Sequence, residues 1–198
     1  MNCLLMGNAE QLAALQQAAP SIAWQVVASV AEAQAIAADA FFYLENDAAE
    51  QAWEGFQCPV LVNSAVAALP NEQLVGINGW PYFLQKSQWE IAGNINGPVQ
   101  AVLGAMGKTA IPAPASPGLI SARVIAMVIN EAYFALADGV SSRADIDTAM
   151  KLGTNYPHGP FEWATLLGVH NIYQLLHTLA QTDDRCTPAP LLKEEALA

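Results

Sequence analysis

A chain of 198 residues that is 54% hydrophobic and only 13% charged has enough apolar side chain for one ample core or two small ones. Its net charge of −11, from 18 acidic and 7 basic residues, argues against nucleic acid and anionic membrane surfaces as partners. The longest apolar stretch, from Leu119 to Leu136, is interrupted by Arg123, Asn130 and Glu131, so no segment is read as spanning a membrane. The N-terminus lacks a basic segment and a cleavage site, and Cys3, Cys58 and Cys186 are scattered. We therefore expect a cytoplasmic protein with free thiols and no zinc framework.

The first hundred or so residues alternate short apolar runs with helical patterns. Asn2–Met6 reads as a strand and Glu10–Ala18 as a helix, with Gly7 between them. Ala23–Val27 is a strand, and Ser29 caps a helix through Ala37. Ala40–Leu44 is a strand, Asp47–Trp53 a helical turn or two, and Pro59–Val62 a strand. Further strands fall near Leu74–Ile77, Gln88–Ile91 and Thr109–Ile111, with a helix over Pro98–Met106 starting from Gly97. This rhythm predicts an α/β domain with a mostly parallel sheet. Residues 1 to 85 contain no Lys, Arg or His but eight acidic side chains, so a polyphosphate there would depend on backbone amides and a helix dipole.

The proline-rich AIPAPASPG segment at 110–118 marks the boundary, giving domains 1–113 and 114–198. After it the pattern is all-helical. A long helix runs from Leu119 to Ala137 and stops at Asp138-Gly139. Ser142 with Asp145 resembles a capping box opening a helix that ends at Gly153. Pro160 begins a third helix, closed by Gly168, and a fourth covers Asn171–Ala180. The long helix is apolar nearly all round and needs cover on every side. We expect a two-fold homodimer through helix 119–137; the other solution is cover from the first domain.

The helical half carries a resemblance. Pro117, Gly118, Ile120, Arg123, Asn130-Glu131-Ala132, Asp145-Ile146-Asp147, Ala149-Met150, Gly153, Gly159-Pro160-Phe161-Glu162 and Gly168 stand at the spacings of the 3-hydroxyacyl-CoA dehydrogenase C-terminal domain. Gly107-Lys108 also matches, and the likeness covers residues 107 to 192. The first half is similar to that family's NAD-binding Rossmann domain only in outline, and is shorter. Where the family has Gly-x-Gly-x-x-Gly, this chain has Gly7, Ala9 and Leu12, with Glu10 bringing negative charge to a helix start meant for phosphate.

The resemblance also implies a site. The family uses a His as base, a Glu that orients it, and a Ser and an Asn that hydrogen-bond the substrate oxygen. At the corresponding places this chain has Asn78 for the His, Glu90 for the Glu, Ala65 for the Ser and Ala122 for the Asn. Glu90 and Asn78 are thus the catalytic remnant, and Gly7 and Ser64 the cofactor-binding remnant. His158, His170 and His177 lie in the helical half and read as structural, and no residues show metal spacing. Trp80, Tyr82 and Trp89 either line a cleft for an acyl chain or cover the domain interface.

Three functions follow from the resemblance. The first is a family member that has lost NAD binding and hydride transfer, has no cofactor, and keeps a dimeric binding or scaffold role, with an acyl-CoA-like ligand among its candidate partners. The second is a divergent but active NAD-dependent 3-hydroxyacyl-CoA dehydrogenase. The third is a pure protein-interaction module that works through its helical surface.

Overall fold

The computed structural model describes all residues from Met1 to Ala198. They divide into two compact units, Met1–Ile120 and Ser121–Ala198. The break falls after Ile120 rather than after residue 113. Residues 114–120 stay with the first unit because Gly118 N donates to Ser64 O (3.0 Å) and Ile120 N to the Glu90 carboxylate (3.0 Å).

In the first unit β1 (Asn2–Met6), β2 (Ala23–Val26), β3 (Ala40–Tyr43), β4 (Val60–Asn63) and β5 (Val75–Ile77) form one sheet in the order β2-β1-β3-β4-β5, every pair parallel. Helix α1 (Ala9–Ala18) follows β1, and α2 (Val30–Gln34) follows β2. Beyond β5 come α3 (Pro81–Leu84), β6 (Gln88–Ile91), α4 (Gly97–Ala105) and β7 (Thr109–Pro112). β6 and β7 pair in parallel as a separate ribbon, joined to β5 by an antiparallel bridge between Gly76 and Ala92. Over β1, β3, β4 and β5 both sheet faces are buried, which is why these strands read as continuous apolar runs, while the edge strand β2 is largely exposed. One face packs Leu5, Phe42, Leu61 and Ile77 against Leu15 of α1 and Leu103 of α4. The other packs Leu4, Phe41, Tyr43 and Val62 against Val30 of α2 and Trp53.

Three readings change. The helix capped by Ser29 ends at Gln34, not Ala37, because the chain tightens there (Ile36 N to Ala33 O, 3.3 Å) to reach β3. The Asp47–Trp53 stretch holds only a 3-10 turn at Ala48–Glu50. Helix α3 replaces an unassigned aromatic segment, with Pro81 in its first turn. Lys108 is buried, and its ammonium donates to Leu84 O (2.9 Å) and Lys86 O (2.6 Å), carbonyls at and just beyond the end of α3. That burial lowers its pKa.

The second unit consists of α5 (Ser121–Ala137), α6 (Arg143–Thr154), α7 (Pro160–Leu167), α8 (Val169–Ala180) and α9 (Pro190–Leu197). Helix α9 has no counterpart in the sequence reading, and α8 starts two residues before Asn171. α6 runs to Thr154, one residue past the expected end at Gly153, and is capped by Asn155, which adopts the left-handed conformation. The core joins Ile129 and Tyr133 of α5, Phe161 and Trp163 of α7, and Ile172 and Leu176 of α8.

The residues that carry the family resemblance tie these helices together. Asp147 accepts the Phe161 and Glu162 amides (2.8 and 3.2 Å), capping α7. The Asn130 side chain bonds Thr187 O (2.9 Å) and Ala189 N (2.8 Å), fixing the approach to α9. The Arg143 guanidinium lies over the rings of Tyr133 and Phe161 and pairs with Glu195 of α9 at 2.5 Å.

The long helix is not covered on every side. Val124 is 49% exposed, and Ile125, Met127 and Val128 are half-buried. A groove of about 260 Å³ runs beside it, lined by Val128, Ala132, Ala135, Ile146 and Met150. No helix is long and apolar enough to cross a membrane.

Three carboxylates of this unit titrate low. Asp183 is held at about 2 by the Arg185 guanidinium and then by the Arg185 amide. Arg143 lowers Glu195, and Lys151 with the Gly159 amide lowers Glu162. A depressed folded-state pKa adds stability above the unfolded value of roughly 4, and that stability is lost as pH falls through the folded value. Thermal melts followed by circular dichroism from pH 6 to pH 2 are therefore expected to lose melting temperature most steeply below about pH 4. A flat profile through that window would contradict these assignments.

Candidate functional site

β1 pairs with β2 on one side and β3 on the other, so the chain reverses direction of winding between β1 and β3. In open parallel sheets the crevice outside the carboxyl ends at such a reversal is where ligands bind. Here that edge is built from side-chain amides. Asn8 caps α1 by accepting the Gln11 amide (2.9 Å), and the Gln11 side chain returns the bond by accepting Asn8 N (2.8 Å). The Gln11 Nε2 then donates to Leu44 O, just past β3 (3.1 Å), and to Gly79 O, just past β5 (3.0 Å). Asn63, the last residue of β4, accepts the amides of Ala65 (3.0 Å) and Gly79 (2.9 Å) and donates to Asn46 (2.9 Å).

This arrangement explains Gly7. A Cβ there would lie 2.6 Å from Gln11 Oε1 and 3.2 Å from Leu44 Cβ. The glycine makes room for the Gln11 amide. Gly79 is constrained in the same way, since a Cβ would sit 2.7 Å from the Asn63 side chain.

The other expected site residues lie at the ends of β4 to β6. Ser64 N bonds Ile77 O (2.8 Å), while its hydroxyl is buried without a partner beside Gly76. Asn78 accepts the Trp80 amide (3.2 Å), and its Nδ2 is buried without a partner. An isolated antiparallel bridge joins Gly76 to Ala92, with Asn78 two residues after Gly76 and Glu90 two residues before Ala92. Gly7 packs against the Gln11 side chain and Leu44.

Glu90 accepts the Ile120 amide (3.0 Å). It thereby anchors a turn in which Gly118 (φ 82°) and the buried Leu119 (φ 49°) are both left-handed. Ala65 and Ala122 are fully buried and carry no polar group.

Residues 118–198 match the sequence profile of the 3-hydroxyacyl-CoA dehydrogenase C-terminal domain. The helical unit is thus similar to the C-terminal domain of the 3-hydroxyacyl-CoA dehydrogenases. Over 93 residues the chain is 46% identical to the 3-hydroxyadipyl-CoA dehydrogenase of Escherichia coli strain K12, covering 46% of this chain and 20% of that protein. Over 99 residues it is 38% identical to a probable 3-hydroxybutyryl-CoA dehydrogenase of Bacillus subtilis, covering 48% and 34%. The chain thus spans at most about a third of the length of these curated relatives.

Among solved structures, 3-hydroxybutyryl-CoA dehydrogenase of E. coli aligns at 37% identity and TM-score 0.55, over 63% of this chain and 27% of that one. FadB2 of M. tuberculosis aligns at 10% identity and TM-score 0.78, over 99% and 93%. At 10% identity the second likeness speaks for the fold alone.

Gln11, Asn63 and Asn46 were not among the residues singled out from the sequence. One signal was available: Asn8 followed by Gln11 has capping-box spacing. The partners Leu44 and Gly79 carried none.

Replacing Glu90 by Ala removes the acceptor of the Ile120 amide and hands that exposed amide to water, a loss of about 1 kcal/mol. We expect the Ile120 amide to exchange about tenfold faster with solvent in Glu90→Ala, while Glu90→Gln, which keeps an oxygen acceptor, retains most of the protection. Exchange in Glu90→Ala at the wild-type rate would show that this bond does not anchor the turn.

Proposed function

We propose that the chain is a 3-hydroxyacyl-CoA dehydrogenase family protein that performs no hydride transfer and keeps a binding role through a dimeric helical unit. The observation that carries this reading is the buried Asn78, at the position where the family resemblance calls for a His. A carboxamide donates and accepts hydrogen bonds but does not titrate near neutral pH, so it cannot serve as a general base. Ala65 and Ala122 add no donor to replace the lost Ser and Asn.

The residues at the first strand-helix turn do not fit the pyrophosphate of NAD. Asn8 caps the helix start that phosphate would use, Glu10 adds a negative charge to the same turn, and residues 1 to 85 hold no cation. We therefore assign no cofactor.

What remains at the edge suits an oxygen acceptor. The Ser64 hydroxyl and the Asn78 amide are buried donors without partners, and both residues follow directly on the paired Asn63 and Ile77. A thioester carbonyl of an acyl-CoA-like ligand would satisfy them. The half-exposed apolar face at Val124 and Val128 supports a two-fold homodimer through α5. Three free thiols, two of them buried, fit the cytoplasm.

The purified protein mixed with NADH and acetoacetyl-CoA is expected to show no oxidation at 340 nm above the uncatalysed rate. Turnover that depends on both reagents would establish the alternative reading, a divergent working dehydrogenase. For the dimer, Val128→Asp places a charge on the exposed apolar stripe and is expected to halve the mass seen by analytical ultracentrifugation. A wild-type chain that sediments as a monomer would remove this part of the proposal.

A further inference from the structure

We infer that the Gln11 side chain occupies the place of a dinucleotide's pyrophosphate and ties the carboxyl edge of the sheet in its stead. The inference rests on the reading that NAD does not bind, and it names what replaced the cofactor. Gln11 is only 5% exposed and uses both of its donor hydrogens and its carbonyl oxygen. Its three partners come from three places in the chain: the turn after β1, the residue after β3, and the turn after β5. A dinucleotide lying across the reversal between β1 and β3 would touch the same region.

Two further observations point the same way. Gly7 keeps the close approach that a phosphate loop requires, yet the atom it approaches is Gln11 Oε1, at a distance where no Cβ fits. The Gln11 amide, which belongs to the helix turn that would face phosphate, is already taken by Asn8 Oδ1 at 2.9 Å. A ligand entering here would have to break these bonds together and leave Leu44 O and Gly79 O without partners in a buried place. The crevice is closed by the chain itself, with no charge spent on the closure.

The chemistry of the three bonds sets the test. Gln11→Ala removes all of them. Gln11→Glu keeps an acceptor for Asn8 N but turns a carboxylate toward two carbonyl oxygens. Gln17→Ala, on an exposed position of the same helix, is the control.

In the full chain we expect Gln11→Ala to lower the melting temperature by about 5 °C and to speed exchange of the Asn8 amide about tenfold. Gln11→Glu should melt low at pH 7, keep the Asn8 amide protected, and recover part of the loss as the new carboxyl is protonated toward pH 4. Gln17→Ala should match the wild type in all three measurements.

A Gln11→Ala protein indistinguishable from Gln17→Ala overturns the inference while leaving the absence of NAD binding in place. Millimolar NADH that raises the wild-type melting temperature overturns both, because the crevice would then be open to the cofactor.

Discussion

Every strand of the main sheet runs the same way, so all five carboxyl ends crowd one edge, and the backbone groups released there must find partners. In this protein side-chain carboxamides supply them. A carboxamide carries donors and an acceptor in one planar group, so Gln11 can hold two carbonyls and an N–H at once. A carboxylate could not, since it only accepts. The first 85 residues have eight acidic side chains and no cation, and a network of Asn and Gln closes the edge without needing a counter-ion. The positions of Gly7, Gly79 and Asn63 follow from that closure.

The helical unit is organised by a comparable economy of polar groups. Asp147 caps α7, Asn130 fixes the segment before α9, and Arg143 joins two aromatic rings to Glu195. These residues belong to the motifs that link the chain to the 3-hydroxyacyl-CoA dehydrogenases, or stand beside them. Their work here is to set helix ends and crossings, so a strong family likeness in this unit reports architecture rather than catalysis. The high apolar content has a related explanation. Helix α5 buries one face in its own unit and leaves Val124 and Val128 open beside an apolar groove.

How far the sequence could be read depended on how local each signal was. β1 and β6 came out with their observed ends because apolar runs and flanking polar residues bracket them. α5, α7 and α8 were legible from helical spacing and glycine stops. α3, a single turn of bulky side chains after Trp80, and α9, eight residues behind a proline, carried too little periodicity. Gly7 was read as the remnant of a phosphate loop, a reading that did not show its neighbour, Gln11. Glu90 was visible as the one residue retained from the family's site. That its carboxylate holds the Ile120 amide was not visible.

By itself the sequence determined a parallel α/β unit followed by a bundle of helices, the likeness of that bundle to the 3-hydroxyacyl-CoA dehydrogenase C-terminal domain, and the residue types present at each expected site position. Those properties are set by periodicity, capping and motif spacing, which act over a few residues at a time. The tertiary structure alone decided what the sites contain. Gln11 meets Gly79 across 68 positions of sequence, and Glu90 meets Ile120 across 30. Partners so distant are chosen by strand order and register, because a buried polar group must bond to whatever backbone the topology brings within reach.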